Sequence, residues 1–230
     1  AEHLEQVNKS LEEGQLEIEK QRQLLESEKQ RSDELLHNIL PEVVAHKLKK
    51  GKVKPKMYKS ATIMFADIKG FSKLCREHDA IEIVEQLDFL IGNFDDIIGK
   101  HFIEKIKTIG DAYMCAGGIP MKNNSHQVNV ILAALEIQNF LWEYNKPRIL
   151  NKEQPWDCRI GIHTGEVIAG VVGKKKFAYD IWGDAVNVAS RMESAGVINS
   201  VNISVDTYEL VKEYFECIPR GFVEIGRAHV

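Results

Sequence analysis

An apolar run of β type, Thr62-Ile63-Met64-Phe65-Ala66, ends on Asp67 and turns through Ile68-Lys69-Gly70 into a helix start at Phe71-Ser72. Such a turn sets one carboxylate beside the free N–H groups of a helix N-terminus, where a cation can sit next to a phosphate. Alone, a strand-end aspartate reads more simply as a cap. A second acidic turn, Lys107-Thr108-Ile109-Gly110-Asp111, also lies between β-like runs. The two acids are 44 positions apart and meet only if their strands are neighbours in one sheet.

The intervening pattern supplies that sheet. Residues 80–101 carry Ile83, Leu87, Leu90, Phe94 and Ile98 at the spacing of one helix face. Strands are expected over 102–109 and 112–116, a hairpin about Gly110-Asp111. A second helix is expected over 125–144, then strands over 158–163 and 166–172 and a helix over 184–193. A strand over 201–205, a helix over 207–214 and β-like stretches at 216–218 and 222–225 complete the chain. The order β-α-β-β-α-β is the split βαβ of a ferredoxin-like α+β domain. Two carboxylates at adjacent strand tips of such a sheet can bridge divalent ions roughly 3.5–4 Å apart, as in-line displacement at phosphorus requires.

Ahead of this domain, residues 1–36 lack proline and are dense in Glu, Gln and Lys. Leu4, Leu11, Ile18, Leu25 and Ile39 fall on one seven-residue row, broken by Ser32, while the other row holds Val7, Gly14, Gln21, Glu28 and Leu35. A weak parallel coiled coil and a single exposed helix fit this half-apolar pattern equally well. Residues 37–57 read as a connector, with Pro41 in the first turn of a short helix that Gly51 ends.

At 230 residues and 44% hydrophobic the chain can bury one good core. A net charge of −4 argues against a nucleic-acid partner. Cys75, Cys115, Cys158 and Cys217 are too widely spaced for a zinc site or a disulfide framework, which fits a reducing cytoplasm. No apolar run reaches the roughly 18 residues of a membrane span, so the stretch given reads as soluble, with room for a membrane anchor ahead of Ala1.

Three blocks now align with a known family. Phe65-Ala66-Asp67-Ile68-Lys69-Gly70-Phe71-Ser72, Lys107-Thr108-Ile109-Gly110-Asp111-Ala112-Tyr113-Met114 and the run from Phe177 to Ser194 resemble the signature blocks of class III nucleotidyl cyclases. The connector from Leu35 to Gly51 is similar to the segment preceding that catalytic domain. The resemblance assigns 58–223 to the cyclase domain and leaves 1–36 as a signalling helix, with a sensor or membrane domain upstream. It implies conversion of a nucleoside triphosphate to its 3′,5′-cyclic monophosphate with loss of pyrophosphate, at sites shared across a homodimer. Asp67, Asp111 and the Ile68 carbonyl would hold two Mg2+ or Mn2+ ions per site, and the Gly70, Phe71 and Ser72 amides would cradle phosphate. From the opposite subunit, Asn187 would position the ribose and Arg191 would stabilise charge on the α-phosphate. Residues 224–230 depart from the family pattern, so its lysine-bearing terminal hairpin has no counterpart.

Base choice follows from hydrogen-bond chemistry. Adenine offers an acceptor at N1 and a donor amine at C6, and guanine reverses both. Lys107 only donates and ionised Asp180 only accepts, which matches ATP as substrate. The guanylyl branch resembles this chain but carries glutamate and cysteine at these positions. Taken singly, Lys107 reads as a solvated strand rung, Asp180 as a turn residue, and Asn187 with Arg191 as a surface pair. His163 reads as a packed histidine and Lys174-Lys175-Lys176 as a hairpin tip. The competing functions are a guanylyl cyclase and a non-catalytic nucleotide-binding dimerisation module. Diguanylate cyclases share the topology but need a Gly-Gly-acidic turn, absent here.

Overall fold

The computed structural model describes residues 2–51, 53–77, 79–173 and 176–222, apart from the side chains of residues 2, 4, 5, 7–10 and 12. The chain divides into two compact units, 1–51 and 52–230.

In the first unit, α1 (Glu2–His37) runs unbroken for 36 residues, or about 54 Å at the helical rise. Its Glu, Gln, Lys and Leu are all good helix formers. Leu11, Ile18 and Leu25 of the expected seam are each more than half exposed, whereas Leu4 and Val7 lie outside the described side chains. Helix α2 (Glu42–Lys49) follows, with Pro41 at the N-cap rather than inside the first turn. The extended ψ of 139° keeps Pro41 out of the helix while its carbonyl accepts from Val44 and Ala45 at 2.8 and 2.9 Å.

In the second unit, β1 (Lys56–Ile68) lies at the centre of a sheet between β3 (Ala112–Gly117) and β4 (Cys158–Val172), antiparallel to both. Strand β2 (Glu104–Ile109) pairs with β3 on the outside. On the far edge of β4, its second half pairs with β5 (Ala178–Trp182) and its first half runs parallel to β6 (Ser200–Ile203). The path β2-β3-β1-β4 is the ferredoxin-like order.

Helices α3 (Phe71–Glu77) and α4 (Ala80–Lys100) link β1 to β2, and α5 (His126–Leu150) links β3 to β4. Asp79 caps α4 through bonds from the Ile81 and Glu82 amides. Leu90 and Phe94 of α4 and Ala134 and Ile137 of α5 share one core with Met64, Ile160 and Ile162. Side chains alternate along β4, so Gly161 faces the other side, against α6 (Asp184–Ser194). Helix α7 (Val205–Val211) closes the described fold.

A chain of buried hydrogen bonds stitches these elements together. It runs from His126 Nδ1 to the hydroxyls of Thr62 (2.8 Å), Thr164 (2.9 Å), Thr207 (3.1 Å) and Ser204 (3.2 Å), ending at His163 Nδ1 (2.7 Å). Burial holds both imidazoles below their ordinary pKa, so they serve as neutral hydrogen-bonding rings.

Four local expectations are corrected. Strand β4 is continuous from 158 to 172, because Gly165 remains in the strand and makes room for α6: a Cβ there would meet the Ala185 Cβ at 2.8 Å. Residues 178–182 form a strand, completed by pairing with Ile168 to Val172. Helix α5 runs six residues past Tyr144, through Pro147. The returning loop holds that end in place, with Asn145 bonded to the Trp156 N–H (2.8 Å) and carbonyl (3.1 Å) and Arg148 Nε to the Gln154 carbonyl (3.1 Å). Residues 216–222 are not a strand. Ile218 and Phe222 are exposed, and no sheet edge among the described residues receives them. Residues 223–230, including the expected strand end and the tail, lie outside the described residues, as do Lys174 and Lys175.

Candidate active site

Pairing places the two acids side by side. Ala66 of β1 is opposite Tyr113 of β3, so the Gly110-Asp111 turn sits beside the end of β1. Gly110 makes that turn with φ +63°, a backbone that side chains disfavour. The Asp111 carboxyl is pushed up to about 6, first by burial and then by the charge and hydrogen bond of Asp67.

The same register sets Arg159 of β4 opposite Asp67. Arg159 Nη2 lies 3.1 Å from Asp67 Oδ2 and 2.8 Å from Glu193 Oε1, and Nη1 donates to the Ser194 carbonyl at 3.3 Å. Burial raises the Glu193 pKa, and the Arg159 charge opposes that rise. Asp67 and Glu193 thus share one guanidinium, with Asp111 beside Asp67. The excess negative charge is carried by hard oxygen donors, the set that suits Mg2+ or Mn2+. Among the described residues no group of three or more ligating side chains could hold a metal. Asp67 and Asp111 would therefore leave coordination positions to the Ile68 carbonyl, phosphate and water, the usual habit of Mg2+. Gly70 opens α3, accepting from Lys73 and Leu74 at 2.8 and 3.1 Å. The Phe71 and Ser72 amides are in the first turn, where helical N–H groups lack helical acceptors. Packing of the Phe71 ring on Trp156, 6.3 Å between centroids, anchors this turn.

A second group forms elsewhere on the sheet. Lys107 Nζ of β2 lies 2.5 Å from Asp180 Oδ2 of β5, while Asp180 Oδ1 accepts from the Ile181 amide at 2.9 Å. Asn187 is exposed and Arg191 half-buried on α6, four residues apart and hence on one face. Among the described residues neither side chain has a hydrogen-bonding or ionic partner, and no such contact joins the Lys107–Asp180 pair to Asp67 and Asp111. The structure therefore gathers the expected residues into separate groups. His163 is buried and bonded to Ser204, as a packed histidine should be.

Arg159 and Glu193 have no role in the sequence reading. Their signals are a charge within the apolar strand start Arg159-Ile160-Gly161-Ile162 and a glutamate one turn after Ala189 on the buried face of α6. Only the strand register shows that the two converge on Asp67.

Residues 53–229 match the model of the adenylate and guanylate cyclase catalytic domain, and residues 1–48 match a model described as heme NO binding associated. An adenylate cyclase of Mycobacterium tuberculosis is 37% identical over 204 residues, covering 88% of this chain and 45% of that protein. Guanylyl cyclase C of Homo sapiens is 40% identical over 197 residues, covering 85% of this chain and 18% of that protein. The chain thus spans less than half the length of these curated relatives. Among solved structures, the catalytic core of a rhodopsin-guanylyl cyclase with converted specificity, in complex with ATPalphaS, matches with a TM-score of 0.69 and 31% identity. That match covers 75% of this chain and 91% of the other.

Proposed function

The chain belongs to the adenylate and guanylate cyclase catalytic family, and on that premise we propose that it is an adenylyl cyclase, converting ATP to 3′,5′-cyclic AMP and pyrophosphate. The observation that carries the choice of base is the 2.5 Å contact between Lys107 and Asp180. The pair sets a donor beside an acceptor, and an adenine edge would exchange their mutual contact for one to each side chain, Lys107 donating to N1 and Asp180 accepting from the 6-amino group. Guanine would bring N1–H against the ammonium and O6 against the carboxylate, leaving all four groups unpaired.

In this reading Asp67, Asp111 and the Ile68 carbonyl would hold two Mg2+ or Mn2+ ions per site, and these would supply Lewis acidity at the 3′-hydroxyl and neutralise triphosphate charge. The Gly70–Ser72 amides hold phosphate oxygens, Asn187 orients the ribose, and Arg191 takes up the charge that develops on the α-phosphate. The 3′-hydroxyl gives up its proton to solvent and its oxygen bonds to the α-phosphorus as the bond to the leaving pyrophosphate breaks.

A homodimer is favoured by the directions on α6. Glu193 turns inward to Arg159, and residues two apart on a helix point about 200° apart, so Arg191 faces away from its own chain's Asp67. Asn187 shares the Arg191 face, and a second copy is needed to bring both to a metal pair. Pairing of α1 through Leu11, Ile18 and Leu25 would hold the copies together, and the match at residues 1–48 supports a signalling role for that helix. No helix among the described residues is long and apolar enough to cross a membrane.

The rival reading is conversion of GTP, since sequence identity does not separate the two branches. Purified protein incubated with Mn2+ and either ATP or GTP decides by chromatography of the cyclic product. The expected ATP preference is at least about a hundredfold in kcat/KM, and comparable turnover of GTP would sink the assignment.

A further inference from the structure

The buried chain of hydroxyls between His126 and His163 touches neither nucleotide nor metal residues, yet its geometry has a direction. Thr207 Oγ1 donates to Thr164 Oγ1 at 3.1 Å. A hydroxyl has one proton to give, so Thr207 accepts from Ser204 (3.2 Å), and Ser204 accepts from His163 Nδ1 (2.7 Å). In the other direction Thr164 donates to Thr62 (2.9 Å), and Thr62 donates to His126 Nδ1 (2.8 Å). With every hydroxyl donating once, His163 is the Nδ1–H tautomer and His126 the Nε2–H tautomer, its Nε2 lying 3.4 Å from Ser60 Oγ.

The two ends differ. His163 Nε2 makes no hydrogen bond among the described residues. It borders the gap under the first turn of α6: a Cβ at Gly165 would lie 3.0 Å from this nitrogen and 2.8 Å from the Ala185 Cβ. The charged groups that face His163 are Asp184 of α6 and Asp206 of α7, whose Oδ2 is 3.9 Å from Nδ1. Among the described residues no charge acts on His126, which burial alone shifts. A proton taken from solvent at His163 Nε2 need not leave its charge there. If each hydroxyl passes its proton one place along, His163 gives up the proton on Nδ1 and His126 Nδ1 gains one. The charge then resides on His126, and each hydroxyl again has one proton. Either way an N–H stands at His163 Nε2, where Ala185 offers no acceptor, at the positive end of a helix that no side chain caps.

We propose that His126 and His163 bind one proton jointly through the four hydroxyls, and that this proton unseats the first turn of α6. His163 is then a positioning residue, acting on the nucleotide through Asn187. The inference rests on the reading of α6 as the helix that brings Asn187 and Arg191 to substrate.

Imidazole nitrogen NMR spectra of the full chain test this. At about pH 8 they should show the two tautomers assigned above. On acidification both rings should follow one common curve, and the Ala185 and Val186 amide resonances should move with it. Thr164→Val cuts the chain in the middle and should give each ring its own curve, whereas Thr164→Ser, which keeps the hydroxyl, should restore the common one. His126→Gln removes one of two places for the proton, which weakens uptake about twofold if the rings share it equally. The acid fall in kcat at saturating ATP should move to lower pH by the same factor. Asp111 also titrates near 6, but it is common to all variants, so a difference between them belongs to the chain of hydroxyls. Merely packed histidines would lose stability in these variants and leave the curves in place. Independent ring titrations in the unsubstituted protein, or an acid fall in kcat that ignores His126→Gln, overturn the proposal. If Thr164→Val does not fold, His126→Gln decides alone by the same measure. Full turnover in both Asn187→Ala and Arg191→Ala sinks the reading of α6 itself, whereas lost turnover there with uncoupled rings sinks only the shared proton.

Discussion

Gly161→Ala is expected to inactivate the enzyme while sparing its metal carboxylates. A Cβ at residue 161 would lie 1.8 Å from the Glu193 nitrogen and 2.4 Å from both the Glu193 Cα and the Met192 carbonyl carbon, all backbone atoms of α6. Ordinary contact begins near 3.4 Å, so α6 must withdraw by about 1.6 Å, since no rotamer can relieve a clash between backbone atoms. Overpacking of this kind costs about 1–3 kcal/mol of stability. The larger effect falls on Asn187 and Arg191, which ride on the helix, because misplacement by about 1 Å lowers a rate by roughly a hundredfold. A kcat reduced at least that far is expected, with Mn2+ binding retained and the melting transition lowered but cooperative. Co-refolding with Asp67→Asn adds a sharper readout. Each variant supplies the half-site that the other lacks, so statistical pairing should restore about a quarter of full activity. Undiminished kcat in Gly161→Ala would refute the packing argument, and absence of complementation would refute the shared sites.

The Lys107→Glu, Asp180→Cys double variant should lose ATP turnover and gain GTP turnover, read as the ratio of the two cyclic products; a strict ATP preference after both changes would show that the base is read elsewhere. Thr62→Val should cost about 2 kcal/mol, because it strips buried partners from His126 and Thr164. Thr62→Ser should restore most of that loss in chemical denaturation. Burial pushes the Glu104 carboxyl up to about 7. A raised carboxyl pKa means that its stability contribution is intact below about pH 4.5 and is lost as the pH rises through about 7. Discounted for partial solvent screening, the penalty is about 1–2 kcal/mol. Thermal stability should therefore decline between pH 5 and 8, and Glu104→Gln should flatten that decline.

Much of this architecture is legible from residue pattern, because strong periodicity marks α4 and paired turn chemistry marks the β2–β3 hairpin. The convergence of Asp67 with Asp111 follows from the strand order alone. Where the pattern misleads, tertiary contacts override local preference. Thr164-Gly165 has the chemistry of a turn, but its glycine lies in a strand to admit Ala185. Pro147 has the chemistry of a helix stop, but Asn145 and Arg148 hold the loop that follows against the last turns of α5. Arg159 and Glu193 escape sequence reading because an ion pair across a strand register leaves no local trace: nothing near Asp67 announces a partner 92 residues on.

The unbroken run of β4 has a consequence for how this family of sequences can change length. Arg159 at its start, Gly161 and Gly165 under α6, and Gly170 opposite Asp180 near its end are spaced along one pleated ribbon without a loop to absorb an insertion. One added or deleted residue between 159 and 170 would turn every later side chain to the opposite face. It would also slide Asp180 out of reach of Lys107. Drift in length must therefore accumulate in the connections, such as 118–125 and 151–157. Along β4 substitution is the only tolerated currency of variation.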